Sequence, residues 1–270
     1  MESLEPRLVR TTTLADFKAS GRKFTALTSY DAITAGIFDE AGIEVLLVGD
    51  SAADNVLGYD STLPITVDEM IPFGRAVAKS VKRALVVVDM PFGSYEQGSE
   101  HALENAIKLM KTTGAAAVKL EGGVRSAKQI AALVEAGIPV MGHIGFTPQS
   151  VHTLGGFKVQ GKGDDSAAAL RADAEAVANA GAFAVVLELV PANLATEITA
   201  ELAIPTIGIG AGSGTDGQIL VWTDFAGLHA GKTRKFVKKY AELREALLEG
   251  AREYRSDVAS GAFPSSENEF

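Results

Sequence analysis

A chain of 270 residues, 47% hydrophobic and 22% charged, is sized for one large folded domain, which sets aside wholesale disorder, collagen-like repeats and a membrane bundle. Its 34 acidic against 25 basic side chains give a formal net charge of −9, which disfavours nucleic acid and anionic membranes as partners. Cysteine is absent, so disulfides, thiolate metal sites and cysteine nucleophiles are excluded, and a reducing cytoplasm is the expected location.

The first residues, about 1–20, form an arm without a secretory apolar segment, and no run in the chain reaches the ~18 apolar residues of a membrane span. Strands and helices then alternate. Phe24–Tyr30 predicts the first strand, followed by a helix with Ile33, Ile37 and Phe38 on one face. Val45–Asp50 predicts the second strand, and Met70, Val77 and Val81 mark the next helix. Leu85–Met90 is the third strand, succeeded by a helix with Leu103, Ile107 and Met110 aligned. Strands Ala117–Glu121, Ile138–Ile144, Phe183–Val190 and Ile204–Gly210 follow, separated by helices at Ser126–Ala136, Asp165–Ala180 and Ala192–Leu202. The weakest strand signal is Ile219–Trp222. A last helix, from about Thr233 to Val258, carries Phe236, Tyr240, Leu243, Leu247 and Tyr254 on one stripe that needs the barrel or another subunit to cover it. Its basic opening, Lys232 to Lys239, reads as a solvated face with some capacity for an anion.

The strand runs lack polar alternation, as strands of a parallel sheet buried on both faces do. Helices end repeatedly at glycines, as in Ala41-Gly42-Ile43 and Ala136-Gly137-Ile138, where positive φ caps the helix before the next strand. The alternation predicts a single-domain (β/α)8 TIM barrel over residues 1–270. A doubly wound open sheet fits it equally well, but the phosphate-binding glycine fingerprint is missing after the first strand, where Tyr30-Asp31-Ala32-Ile33 stands.

In such a barrel, chemistry gathers at the C-terminal strand ends. Five successive strands there deliver ionisable residues: Asp50, Asp89, Lys119 with Glu121, His143, and Glu188. Each alone reads as a cap or turn former. Together, carboxylates crowded at one rim repel each other unless a cation or proton offsets them. Asp50, Asp89 and Glu121 offer oxygen ligands only, which favours Mg2+ over zinc, and such an ion can chelate a 2-oxo acid. The apolar flanks of Glu188 suit a group that takes and returns protons, although a salt-bridged core glutamate would have the same flanks. Lys119 shares a side-chain direction with Glu121 and would either neutralise substrate oxygens or pair with that acid. His143 reads as a satisfied core histidine or, from its place on the rim, as a hydrogen-bonding group at the substrate. The Gly208-Ile209-Gly210-Ala211-Gly212 run is either a phosphate cradle or a tight turn.

From about Phe24 onward the sequence resembles the ketopantoate hydroxymethyltransferase family. The resemblance is carried by Leu47–Ser51, Gly58–Pro64, Asp89–Phe92, Val118–Gly123, Gly142–Ser150, Gly155–Gly161 and Ile207–Gly212, in that order and spacing. It implies a barrel of the phosphoenolpyruvate/pyruvate superfamily and homo-oligomers, commonly decamers. Through it Asp50, Asp89 and Glu121 align with Mg2+-site residues, Asp50, Ser51, Asp89 and Lys119 with 2-oxo acid contacts, Glu188 with the proton acceptor, and His143 with an active-site histidine. The implied reaction moves a hydroxymethyl group from 5,10-methylenetetrahydrofolate to 3-methyl-2-oxobutanoate. Ala53-Asp54 and His152 depart from the Gly-Met and Asn frequent in the family and fall in expected loops at the mouth. A metal-dependent lyase of the isocitrate lyase or phosphonomutase type is the nearest rival, though such enzymes commonly use a cysteine that this chain lacks. A silent barrel that only binds metal and 2-oxo acid is the other, and it has no need of a proton acceptor such as Glu188.

Overall fold

Eight parallel strands close into a barrel in the computed structural model, which describes residues 8–270. They are β1 Phe24–Thr28, β2 Val45–Val48, β3 Leu85–Asp89, β4 Ala117–Glu121, β5 Val140–Gly145, β6 Ala184–Glu188, β7 Thr206–Ile209 and β8 Gly217–Leu220, with β8 returning to pair with β1. The (β/α)8 architecture predicted from the alternation is the one observed. Every residue of β2, β3, β4, β6 and β7 is buried, which is why these strands read as uninterrupted apolar runs.

The register builds the site. Asp89 pairs with Lys119 across β3 and β4, and Glu121 pairs with His143 across β4 and β5. Side chains on a strand alternate faces, so Lys119 and Glu121, two apart, share one face.

Helices connect the strands: α1 Thr11–Ala19, α2 Ala32–Glu40, α3 Ala52–Asn55, α4 Val67–Ser80, α5 Ser99–Thr113, α6 Ala127–Glu135, α7 Val151–Leu154, α8 Asp164–Asn179 and α9 Ala192–Glu201. Three predicted helix faces need correction. In α2 the buried residues are Ala35 and Phe38, while Ile33 and Ile37 are exposed. In α5 they are Ala102, Ala106, Leu109 and Thr113, with Ile107 exposed. In α4, Met70 and Val77 are buried as expected, but Val81 lies beyond the helix end. The cause is close packing: small residues let helices approach their neighbours, and a Cβ on Gly74 of α4 would come within 2.6 Å of Thr113 in α5.

The eighth strand starts two residues before the predicted Ile219. Gly217 makes room for Phe24, whose ring would lie 2.5 Å from an added Cβ, and Gln218 is exposed with its amide donating to Gly212 O at 2.8 Å. No apolar run marks such a strand. Of the predicted N-terminal arm, residues 1–7 lie outside the described residues. Within the rest, α1 buries Leu14, and Lys18 pairs with Asp216 at 2.8 Å at the N-terminal end of the barrel.

The chain divides into two compact units, one ending at Leu220 and one spanning Val221–Phe270, where the sequence reads as a single domain. The second unit contains α10 Trp222–Phe225 and α11 Leu243–Ser260. Its long helix begins ten residues after the predicted Thr233, so Phe236 and Tyr240 precede it, and the basic Lys232–Lys239 stretch is not helical. Tyr240 instead stacks on Phe225 at 5.1 Å. Leu243, Leu247, Tyr254 and Val258 of α11 are exposed. Among the described residues no helix is long and apolar enough to cross a membrane.

Candidate active site

Asp50, Asp89, Lys119, Glu121, His143 and Glu188, from five successive strands, are all buried at the C-terminal end of the barrel. Asp50 lies two residues beyond the end of β2, after Gly49, and its backbone N–H donates to Asp89 Oδ2 at 2.9 Å. Lys119 Nζ lies 2.8 Å from Asp89 Oδ1, an ion pair across adjacent strands. His143 sits between two acids, with Nδ1 3.3 Å from Glu121 Oε1 and Nε2 3.3 Å from Glu188 Oε2. Lys119 Nζ is also 3.3 Å from His143 Nδ1.

Glu188 ends β6 and is followed by Leu189 at φ +49°, a left-handed backbone that side chains other than glycine rarely adopt. Gly145, at φ +88°, pairs with Glu188 across β5 and β6, and a Cβ there would fall 2.3 Å from Glu188 O. Only glycine fits that contact.

Burial pushes the carboxyls of Asp50 and Asp89 above the ordinary carboxylate range, in Asp50 reinforced by Asp89 and Glu121 and in Asp89 opposed by Lys119. Burial would raise Glu121 too, but His143, Lys119 and the Gln149 backbone N–H together outweigh that and lower it. Burial works against the Lys119 ammonium, yet the surrounding carboxylates hold its pKa above that of a free lysine. His143 is opposed by burial and by Lys119, and Glu121 and Glu188 still raise it to about 9. Four carboxyl groups thus face one ammonium and one imidazole in a buried space, and the acids outnumber the bases.

Asp89 Oδ1 and Glu121 Oε1 are buried, and neither meets an aligned hydrogen-bond donor beyond its ion pair with Lys119 or His143. Such oxygens, in a set without sulfur and with acid in excess, fit a hard divalent cation. Among the described residues, however, no three histidine or acidic side chains stand close enough to form a ready-made metal cage. Lys119 lies on Asp89, and a glutamine, Gln149, lies on Asp50 and Glu121.

Sequence reasoning missed three neutral members of this site. Tyr30, just past β1, is buried with its hydroxyl 2.7 Å from Ser51 Oγ, and burial raises its pKa. Its position at a strand end was a usable signal. Tyr95 and Gln149 lie in connections after β3 and β5, and no spacing announces their meeting. Of the glycine run, Gly208 lies in β7 and Gly210 and Gly212 follow it; an added Cβ would meet Thr215 at Gly208 and Ala192 at Gly212, within 2.7 Å in each case. Ala53 and Asp54 occupy the short helix α3, Ala53 buried and Asp54 exposed, and His152 is exposed in α7, where loops were expected.

A sequence profile of the family described as ketopantoate hydroxymethyltransferase matches residues 8–266. The 3-methyl-2-oxobutanoate hydroxymethyltransferase of Leifsonia xyli subsp. xyli is 61% identical over 268 residues, covering 99% of this chain and 96% of its own. The protein of the same description from Corynebacterium efficiens is 59% identical, covering 98% of each chain. Among solved structures, a phosphonopyruvate hydrolase complexed with oxalate and Mg2+ superposes with a TM-score of 0.61 at 14% identity, over 96% of this chain and 92% of that one. A 2,3-dimethylmalate lyase, a member of the PEP mutase/isocitrate lyase superfamily, gives 0.58 at 18% identity, over 96% and 91%. At those identities the structural likeness establishes the fold alone.

Proposed function

Because the chain belongs to the ketopantoate hydroxymethyltransferase family, we propose that it transfers a hydroxymethyl group from 5,10-methylenetetrahydrofolate to 3-methyl-2-oxobutanoate, consuming water and giving 2-dehydropantoate and tetrahydrofolate. The observation that carries this reading is the gathering of Asp50, Asp89, Lys119, Glu121, His143 and Glu188 at one buried end of the barrel.

In this reading Asp50, Asp89 and Glu121 would hold Mg2+, a hard cation that suits an all-oxygen donor set. Bound there, Mg2+ would polarise the 2-oxo acid carbonyl and make the C3 hydrogen acidic. Asp50, Ser51, Asp89 and Lys119 contact the 2-oxo acid, with the Lys119 ammonium facing its developing negative charge. Glu188 takes the C3 proton and C3 attacks the folate-borne CH2; both C–N bonds of that carbon break, one as C3 attacks and one by hydrolysis, so water supplies the new hydroxyl and the folate leaves as tetrahydrofolate. His143, 3.3 Å from Glu188 Oε2, holds that carboxylate in place and can relay its proton. Burial excludes bulk water from the exchange.

The reading extends to a cytoplasmic homo-oligomer, commonly a decamer in this family, and the exposed apolar residues Leu247 and Tyr254 of α11 are available to such an assembly. Light scattering after gel filtration measures it. The activity is tested by incubating the protein with 3-methyl-2-oxobutanoate, methylenetetrahydrofolate and Mg2+ and following 2-dehydropantoate by NMR, with and without EDTA. Product is expected only when the divalent ion is present. Product formed equally in EDTA would remove the metal from the mechanism, and no product from any mixture would remove the assigned reaction.

A further inference from the structure

Gln149 touches two of the three acids assigned to the metal, by two different groups. Its backbone N–H donates to Glu121 Oε2 at 3.0 Å, and its side-chain Nε2 donates to Asp50 Oδ2 at 2.8 Å and to Met90 O at 3.1 Å. The remaining atom of the amide, Oε1, accepts the hydroxyl proton of Tyr95. That hydroxyl in turn accepts the N–H of Glu121 at 3.2 Å.

The pattern admits one orientation of the amide. Tyr95 Oη accepts from the Glu121 N–H and gives its own proton to the Gln149 oxygen. Asp50 Oδ2 and Met90 O are both acceptors, so Gln149 must present nitrogen to them. A flipped amide would set oxygen against two acceptors in a buried space. Gln149 and Tyr95 are both buried, so neither gains water as a substitute partner.

The consequence falls on the carboxylates. Asp50 Oδ2 is held by Gln149, Glu121 Oε2 by the Gln149 backbone and Asp89 Oδ2 by the Asp50 backbone. Each acid has one oxygen fixed by a protein N–H. On Asp89 and Glu121 the other oxygen faces an ion-pair partner, Lys119 Nζ at 2.8 Å and His143 Nδ1 at 3.3 Å, and no aligned hydrogen-bond donor beyond it. We propose that Gln149, its amide oriented by Tyr95, is a positioning residue that sets the separation and rotation of the Asp50 and Glu121 carboxylates for a divalent cation. Hydrogen-bond partners of ligating carboxylates orient the donors and tune affinity in this way. The inference rests on the metal assignment of the proposed function.

The test is Mn2+ affinity, with free Mn2+ read by electron paramagnetic resonance as MnCl2 is titrated into the full-length protein. Gln149→Leu removes the side-chain donor and keeps the backbone N–H. It should weaken Mn2+ binding about 10- to 100-fold. Gln149→Asn retains an amide one methylene too short to reach Asp50 and should behave like Gln149→Leu. Tyr95→Phe, which frees the amide to rotate, should weaken binding by a smaller factor in the same direction. Thermal midpoints without metal separate this role from simple packing, which would lower the midpoint and leave the Mn2+ dissociation constant alone. If Gln149→Leu does not fold, Tyr95→Phe carries the test. Dissociation constants within twofold of the native value in every folded variant would overturn the inference alone. Failure of the native protein to bind Mn2+ would overturn the metal assignment and this inference with it.

Discussion

Glu188 is held by the backbone around it as well as by His143, whose Nε2 lies 3.3 Å from its Oε2. The next residue, Leu189, donates its N–H to Ile209 O at 2.9 Å and accepts from Gln160 N at 2.8 Å, and these two bonds fix the left-handed turn at φ +49°. Gly145 is the register partner of Glu188 in the β5–β6 ladder, and the N–H of Phe146 donates to Glu188 O at 2.8 Å. Adding a methyl at Gly145 forces either this carbonyl or the strand to move. Gly145→Ala should therefore cost at least about 1–2 kcal/mol from the positive φ alone, read as a lower urea midpoint, and should lower kcat because Glu188 shifts with its carbonyl. Retained stability together with full kcat would show that the contact is slack. Glu188→Gln isolates the chemistry, since it keeps shape and removes the base. It should abolish deuterium exchange at C3 of 3-methyl-2-oxobutanoate in D2O while leaving substrate binding measurable by calorimetry. Exchange at the native rate in that variant would take the base role from Glu188.

At the scale of elements, α4 shows how local chemistry fixes a boundary near the site. Thr66 Oγ1 accepts from Glu69 N at 3.2 Å and Glu69 Oε2 accepts from Thr66 N at 2.8 Å, a reciprocal cap that satisfies free N–H groups of the first turn. Tyr59 donates to Glu69 Oε1 at 2.6 Å, which ties the 56–65 connection to the helix and holds the Glu69 carboxyl below its usual range. Thr66→Ala should cost about 1 kcal/mol in urea unfolding and leave the Mn2+ affinity unchanged. A change in that affinity would mean the connection reaches the acid cluster. The strands β2 to β7 were legible because both faces are buried and demand apolar residues. β8 was not, since Gly217 yields its space to Phe24 and Gln218 faces outward. Helix faces were misread where alanine does the packing, as in α2 and α5, because a scan for large apolar residues finds Ile33 and Ile107 instead of Ala35 and Ala106. The charged rim was legible because Asp50 follows a strand, Asp89, Glu121 and Glu188 end one, and Lys119 and His143 stand two residues before a strand end. Tyr95 and Gln149 were not, because their partners come from loops that only the closed barrel brings together.

For the molecule as a whole, the charge balance of the buried rim sets the condition for stability. Four carboxyl groups share a low-dielectric space with Lys119 and His143, and Asp50 and Asp89 resist ionisation there because burial penalises their charge. A divalent ion that binds the folded barrel and not the unfolded chain removes part of that penalty and stabilises by mass action. At 100 times its dissociation constant the gain is about 2.7 kcal/mol. For a domain of this size each kcal/mol moves the thermal midpoint by roughly 2–4 °C, so saturating MgCl2 should raise the midpoint of the unit ending at Leu220 by roughly 5–11 °C. Sodium chloride at matched ionic strength should not reproduce the rise, since screening acts weakly on buried charge. Asp89→Asn should abolish it by removing one ligand charge, while losing the Lys119 ion pair as well. The metal-free midpoint of this variant is the reference for its own Mg2+ titration, so the ion-pair loss does not obscure the result. An unchanged Mg2+ response in Asp89→Asn, or an equal rise from sodium chloride in the native protein, would place the stabilising ion outside this cluster.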